Sequence, residues 1–482
     1  MRLVWSGITA ALALTLAGSA VAQDLSTRLD AALRSRALRG AQIGVLVVSQ
    51  ANGHVLYESA PNRALTPASN QKILTAIAAL SAFGPTHRFV TELFAEAVPD
   101  GEGNIDTLAI RGGGDPALTS EQYWRLAANL RLLGIRRIRK GLLLDASAFD
   151  GERWHSSWGQ ISARAYHGPV AALAANYSAF SATVEAGAKP GDPVQVLLDP
   201  PVAHLRLNNR AKTGNRSAAT SLVVDRVRSG RGEEVVVSGV VRAASKPRVY
   251  HRSVLDPVRY AGSVLRAQLE ANGIAVEGVD RLGVVPDSMV LLDEFEGKSL
   301  ADVVRLFLKY SNNAMGETLV KAMGVRGSGI GSWKSGIAAI RAELGRLEID
   351  LTGLLMVDGS GLSYQNRVTP RTLVSALRMA KFSFDFGPEF VAALPIAAGD
   401  GTLKKRTEGA AGRVRAKTGL LTRVTSLSGY AMSADGQPLV FSILVNGFTG
   451  SDEAAMDAVD HIASALTTSR ISRAPNLDQG AR

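Results

Sequence analysis

The stretch Pro67-Ala68-Ser69-Asn70-Gln71-Lys72-Ile73-Leu74-Thr75-Ala76-Ile77 constrains this chain most. Ile73, Leu74, Ile77 and Leu80 recur at helical spacing, and Gly84-Pro85 supply a stop, so an apolar helix begins close to Ser69. Ser69 and Lys72 are three residues apart and share one side of that helix. An amine beside a hydroxyl can take its proton, and the positive end of the helix dipole favours developing negative charge. A Ser-x-x-Lys alone is expected roughly once by chance in a chain this long, so its meaning depends on what the remaining residues supply.

The surroundings of this helix read as half of an α/β domain. Leu25 to Arg39 looks helical, Ile43 to Ser49 is an apolar strand, Ala51-Asn52-Gly53 a turn and His54 to Glu58 a second strand. Helical patterning resumes at Leu300 to Lys309 and Ala314 to Met323, joined at Tyr310-Ser311-Asn312-Asn313, and again at Pro370 to Ala380. Three strands follow, Gly412 to Lys417, Val424 to Met432 and Pro438 to Asn446, with short turns that imply antiparallel pairing. Ser451 to Thr468 is a closing amphipathic helix, and Ser469 to Arg482 a solvated tail.

Between about Val90 and Pro286, short apolar runs alternate with Gly, Pro and Asn, with helices only at Glu121 to Leu133 and Pro257 to Asn272. This β-rich material reads as an insertion of one or two small domains. Gly112-Gly113-Gly114-Asp115-Pro116 is a tight turn rather than a nucleotide loop, since Pro116 opposes a helix start and no Lys-Ser/Thr follows. There is no internal repeat.

With 46% hydrophobic and 20% charged residues over 482 positions, the chain has globular composition and room for two to four domains. The absence of cysteine excludes disulfides, a thiol nucleophile, Cys-ligated zinc and a lipidated-cysteine anchor. Arg2, the apolar Ile8 to Ala17 and Ala20-Val21-Ala22 form a cleavable secretory signal over residues 1–22, which implies export to a bacterial periplasm with no stable membrane anchor afterwards. The formal charge of +11 suits anionic envelope polymers; no dense basic run with interleaved aromatics supports nucleic-acid binding.

Ser69 has no Gly-x-Ser-x-Gly elbow, and none of the seven histidines lies in a metal-binding pattern. A serine nucleophile without histidine needs a lysine base, and Lys72 is placed for that. Two further motifs complete a set: Ser311-x-Asn313, and Lys417-Thr418-Gly419 at a strand end. Together they match the three-motif pattern of β-lactamases and penicillin-binding proteins. In that pattern Ser311 relays protons to the leaving amine, and Asn313 binds the Lys72 ammonium and a substrate amide. Lys417 and Thr418 hold the substrate carboxylate, and the backbone N–H groups of Ser69 and Leu420 form the oxyanion hole. A second Lys-Thr-Gly, at Lys212-Thr213-Gly214, is read as a loop inside the insertion. Tyr310/Asn312 offers an alternate register, the Tyr-x-Asn of class C β-lactamases and esterases; Ser311/Asn313 is favoured.

From about Leu25 to Leu466 the chain resembles the low-molecular-weight class C penicillin-binding proteins, the D-alanyl-D-alanine carboxypeptidase/endopeptidase family. Beyond the three motifs, the resemblance rests on Gly112 to Leu118, on Leu144-Asp145-Ala146-Ser147-Ala148-Phe149-Asp150-Gly151, on Glu317-Thr318-Leu319 and on Asp358-Gly359-Ser360-Gly361-Leu362-Ser363. The long separation of Ser69 from Ser311, and the lack of a Glu-x-x-Leu-Asn segment, set it apart from ordinary β-lactamases.

The resemblance implies an α/β (α+β) transpeptidase-like domain with a five-stranded antiparallel sheet between helices, over residues 23–90 and 287–482. Two mostly-β small domains would be inserted in it, one over 91–165 and 250–286, the other over 166–249. It further implies cleavage of D-Ala-D-Ala bonds in peptidoglycan stem peptides and cross-links, acylation by β-lactams, and no metal or cofactor. Three positions depart from the family pattern: Leu420 stands for Thr, Tyr364 for Arg and Arg423 for a small residue. The rival readings are a non-catalytic wall-binding protein on the same fold and a β-lactamase or esterase using Tyr310.

Overall fold

The computed structural model describes residues 25–471, so the predicted signal segment and most of the tail lie outside the described residues. The chain divides into two compact units. The first comprises residues up to Pro85, Val304–Ser311 and Ile340 onward; the second comprises Thr86–Val303 and Asn312–Ala339.

The first unit is built on a five-stranded antiparallel sheet. Its order is Val414–Leu421, Val424–Met432, Pro438–Asn446, Gln42–Ser49, Val55–Ser59, so the N-terminal hairpin closes onto the three C-terminal strands as expected. Alternation along the strands sends Val45, Val47, Leu427, Phe441, Ile443 and Val445 to one face. There they pack with Leu25 and Leu29 of the first helix and with Val459, Ile462 and Leu466 of Asp452–Thr468. The inner strands are buried on both faces, and Ser428 Oγ donates to Ser442 Oγ at 2.9 Å across the ladder.

Two helices of this unit pack against one another. Pro370–Phe382 starts cleanly, with Thr369 accepting from the Thr372 N–H and Pro370 in the first turn. Gln71–Phe83 is buried without interruption from Gln71 to Leu80, the mark of a helix enclosed on all sides. The strand expected to end at Lys417 runs on to Leu421, because Gly419 and Leu420 continue the ladder opposite Ser426 and Thr425. Two helices, Trp333–Arg346 and Gly387–Ala393, were not foreseen from the sequence pattern.

The second unit holds another five-stranded sheet, ordered Arg281–Leu282, Leu142–Asp145, Leu108–Gly112, Arg88–Ala95, Val290–Ser299. The helices Ser120–Leu132 and Pro257–Ala271 bring Leu126, Leu130, Tyr260 and Leu265 into one core with Leu93, Ile110 and Leu144. Because Val290–Ser299 pairs with Arg88–Ala95, the stretch after residue 287 joins this unit and not the flanking one. Lys212–Gly214, expected to be a loop, is a short strand parallel to Gly232–Arg242, with buried Thr213 accepting from the Gly187 N–H. Its partner strand is remote in sequence, which local patterning cannot register.

The glycine-rich segment is a tight turn: Asp115 Oδ1 accepts from the Ala117 N–H at 2.7 Å. Asp115 Oδ2 is buried with no hydrogen-bond partner among the described residues, and burial raises this carboxyl to about 6. A carboxyl raised in the folded state contributes stability that is fully present below its unfolded value near 4 and is lost as pH rises through about 6. Asp115→Asn should therefore gain on the wild type by several degrees in Tm between pH 5 and pH 8. Thermal unfolding at both pH values checks this; a difference that does not change with pH contradicts it.

Candidate active site

Ser69 lies in a short 3-10 turn, Ala68–Asn70, immediately ahead of the buried helix Gln71–Phe83. Ala68 has φ +47, a left-handed conformation that costs a non-glycine residue about 1 kcal/mol. This twist turns the chain sharply into the helix and presents Ser69 at its start. Lys72 follows in the first helical turn, fully buried, and its Nζ donates to Ser69 Oγ at 2.9 Å. The same Nζ donates to the Ser360 carbonyl at 2.6 Å and stands 6.0 Å from the centroid of the Phe307 ring.

The Ser360 carbonyl is aimed by the loop it belongs to. Asp358 accepts from the Gly361 N–H at 2.8 Å, the Ser363 N–H at 2.7 Å and the Asn366 amide at 2.8 Å, which closes Asp358–Asn366 on itself. Gly361 has φ +80, and a Cβ there would overlap the Ala68 carbonyl oxygen. Only glycine lets this loop lie against the Ser69 turn. Thr75 anchors the loop further by donating to the Gly359 carbonyl at 2.8 Å.

Asn70 ties the Ser69 turn to the sheet. Its amide donates to the Lys417 carbonyl at 3.0 Å and to Ser426 Oγ at 2.7 Å, and Ser426 Oγ donates to the Pro67 carbonyl at 2.7 Å. Lys417 is fully buried, with Nζ donating to the Thr418 carbonyl at 2.9 Å. Burial, and then the positive charges of Lys72 and Arg406, hold its pKa well below the ordinary lysine value. A Cβ added to Gly419 would sit 2.8 Å from the Pro67 carbonyl oxygen and 3.0 Å from the Ser69 nitrogen, and would overlap Ser426 Oγ. The strand backbone thus runs directly against the Ser69 turn.

Ser69, Lys72, Lys417, Thr418, Gly419 and Leu420 are therefore assembled in the first unit. Ser311 belongs to the same unit and follows Leu300–Tyr310, the helix that carries Phe307; its φ is +57. Asn313 is the first residue of Asn313–Ser328 in the second unit, where its amide donates to the Tyr166 carbonyl at 3.0 Å. Asn312 Oδ1 caps that helix, accepting from the Met315 N–H, and Tyr310 is 69% exposed.

Two departures from the family pattern have structural places. Arg423 takes φ +59 in the turn after Leu421, and its guanidinium donates to the Phe448 and Gly447 carbonyls. Tyr364 Oη accepts from the Thr422 N–H at 3.0 Å, and Leu420, the third departure, is 46% exposed.

Sequence reasoning missed the Ser360 carbonyl, Asn70, Ser426 and Phe307 as members of the site. The motif around Ser360 was visible, but the direction of a backbone carbonyl has no sequence signature.

Over residues 25–468 the chain matches the D-Ala-D-Ala carboxypeptidase 3 (S13) family. It is 37% identical over 465 residues to the D-alanyl-D-alanine carboxypeptidase of Actinomadura sp. (strain R39), covering 93% of this chain and 86% of that one. Penicillin binding protein 4 (dacB) from Haemophilus influenzae is 26% identical with a TM-score of 0.78, over 91% of this chain and 97% of that one. Its complex with a novel β-lactam gives a TM-score of 0.74, also at 26% identity, over 91% of this chain and 98% of that one. The chain belongs to the S13 family of D-Ala-D-Ala carboxypeptidases, serine hydrolases on a mixed α/β fold.

Gly419→Ala tests the close approach of the strand and the Ser69 turn. The added methyl should push the Ser69 nitrogen away and lower the rate of acylation by benzylpenicillin by about a hundredfold or more. Stopped-flow or intact-mass kinetics, with circular dichroism to verify folding, measures it.

Proposed function

We propose that Ser69 is the nucleophile and Lys72 the general base of this carboxypeptidase, acting on stem peptides of peptidoglycan that end in D-Ala-D-Ala. The observation that carries the reading is the 2.9 Å contact of a fully buried lysine amine with the serine hydroxyl at a helix start. In the neutral form Lys72 takes the Ser69 proton as Oγ attacks the carbonyl carbon between the two D-alanines. The oxyanion forms beside the N–H groups of Ser69 and Leu420, which lie on backbone held together by Asn70 and Gly419. The C–N bond then breaks, the leaving amine takes a proton relayed by Ser311, and water hydrolyses the ester on Ser69.

Lys417 and Thr418 receive the carboxylate of the leaving D-alanine. A second buried ammonium close to Lys72 is unfavourable without an anion, and the substrate carboxylate is the anion this chemistry provides. The same contacts suit the carboxylate of a penicillin, and the β-lactam complex of the Haemophilus influenzae relative supports acylation here. Cross-linked peptides also present a free carboxylate on the leaving residue, so endopeptidase action belongs to the same proposal.

Residues 1–22 carry the protein to the periplasm in this reading, and no described helix is long and apolar enough to cross a membrane. The inserted domains correspond to the sheets of the second unit; those formed by residues 179–253 support a separate small domain over 166–249.

Labelling with benzylpenicillin, followed by peptide mass spectrometry, should give one adduct on Ser69 that Ser69→Ala abolishes. A folded protein without adduct would sink the reading. Acylation should also need charged Lys417, so its rate should fall on the alkaline side at a pH below 10.5. Lys417→Arg, charged throughout that range, should lower the plateau and remove this limb from the pH–rate profile.

A further inference from the structure

The loop before the Lys417 strand places a second threonine against the first. Thr418 Oγ1 donates to Thr402 Oγ1 at 2.8 Å. Thr402 comes from a loop fixed at several points. Lys309 Nζ bonds Asp400 Oδ2 at 2.6 Å and the Leu394 carbonyl at 2.7 Å. Asp400 Oδ1 accepts from the Ile396 N–H at 2.9 Å, and the Ala398 N–H donates to the Leu403 carbonyl at 3.0 Å. Leu403 is fully buried in the core, and Arg406 closes the loop with two bonds to Asp460 at 2.8 and 3.0 Å. Lys309 is also two residues from Ser311, so one ion pair fixes both the Thr402 loop and the end of the Ser311 helix.

We propose that Thr402 is a positioning residue for the substrate carboxylate, acting through Thr418. A carboxylate accepts hydrogen bonds and donates none, whereas a hydroxyl does both. While Thr418 donates to Thr402, its proton is unavailable to a ligand. When a carboxylate arrives, the pair reverses: Thr402 donates to Thr418, and Thr418 donates to the carboxylate. The proton stays on each oxygen throughout; only the direction of the two O–H bonds changes. Receiving a bond polarises the Thr418 hydroxyl and strengthens its charge-assisted bond to the ligand. The rigid loop matters because the relay works only if Thr402 keeps its place as Thr418 turns. This inference rests on the reading of Thr418 as a carboxylate donor. It adds a member of the site that stands 16 residues from Thr418 and outside the motifs read from the sequence.

The test compares two reagents that differ only at the carboxylate, benzylpenicillin and its methyl ester, by the second-order rate of adduct formation on Ser69. Thr402→Val should slow benzylpenicillin by about tenfold and the ester by less than about twofold. Thr402→Ser, which restores a hydroxyl, should return both rates to within about twofold of the wild type. The ratio of the two rates is independent of the active fraction, so it remains readable if Thr402→Val is less stable. Equal slowing of both reagents overturns the proposal and leaves Thr402 a structural residue; no slowing of either overturns it as well. A wild-type protein with no adduct on Ser69 overturns the nucleophile reading, and this inference with it.

Discussion

The burial of Lys72 is the constraint from which the site follows. Taking an ammonium out of water costs several kcal/mol unless polar partners replace the water. Here the replacements include the Ser69 hydroxyl, the Ser360 carbonyl and the more distant face of Phe307. Each requires its own scaffold. The hydroxyl requires the left-handed twist at Ala68; the carbonyl requires a loop tied by Asp358 and made thin by Gly361; the ring requires the helix that ends at Tyr310, next to Ser311. Three stretches far apart in sequence are thus committed to one nitrogen atom.

Lys417 adds a second buried cation to this neighbourhood, while Arg406, the other positive group that acts on it, is already held by Asp460. In the proposed reading the substrate carboxylate comes to Lys417 as the scissile bond reaches Ser69, and so stabilises the charged form of that buried lysine. Binding energy gained on the non-reacting end of the substrate is converted into alignment of the reacting end.

Much of this was legible in the residues. The 3.6-residue spacing of Ile73, Leu74, Ile77 and Leu80 fixes the nucleophile helix, and the alternating strands after residue 412 fix the sheet. Motif residues with distinctive side chains, such as Ser69, Lys72 and Lys417, can be found by type and order. What could not be read was carried by backbone: the φ of Ala68, the direction of the Ser360 carbonyl, the strand character of Lys212–Gly214 and the continuation of the ladder past Gly419. These depend on partners tens to hundreds of residues away. Asn312 shows the same limit from the other side, since only geometry reveals that its Oδ1 caps the helix Asn313–Ser328.

Asn70 joins the turn that holds Ser69 to the Lys417 strand and to Ser426, inside the sheet that forms the core of the first unit. The reactive hydroxyl is therefore part of the cooperative core and not an appendage of it. In the proposed reading, loss of the sheet and loss of the nucleophile are one event, so the fraction of molecules able to take a covalent label is also the fraction folded. The enzyme carries its own reporter of conformational integrity, readable one molecule at a time.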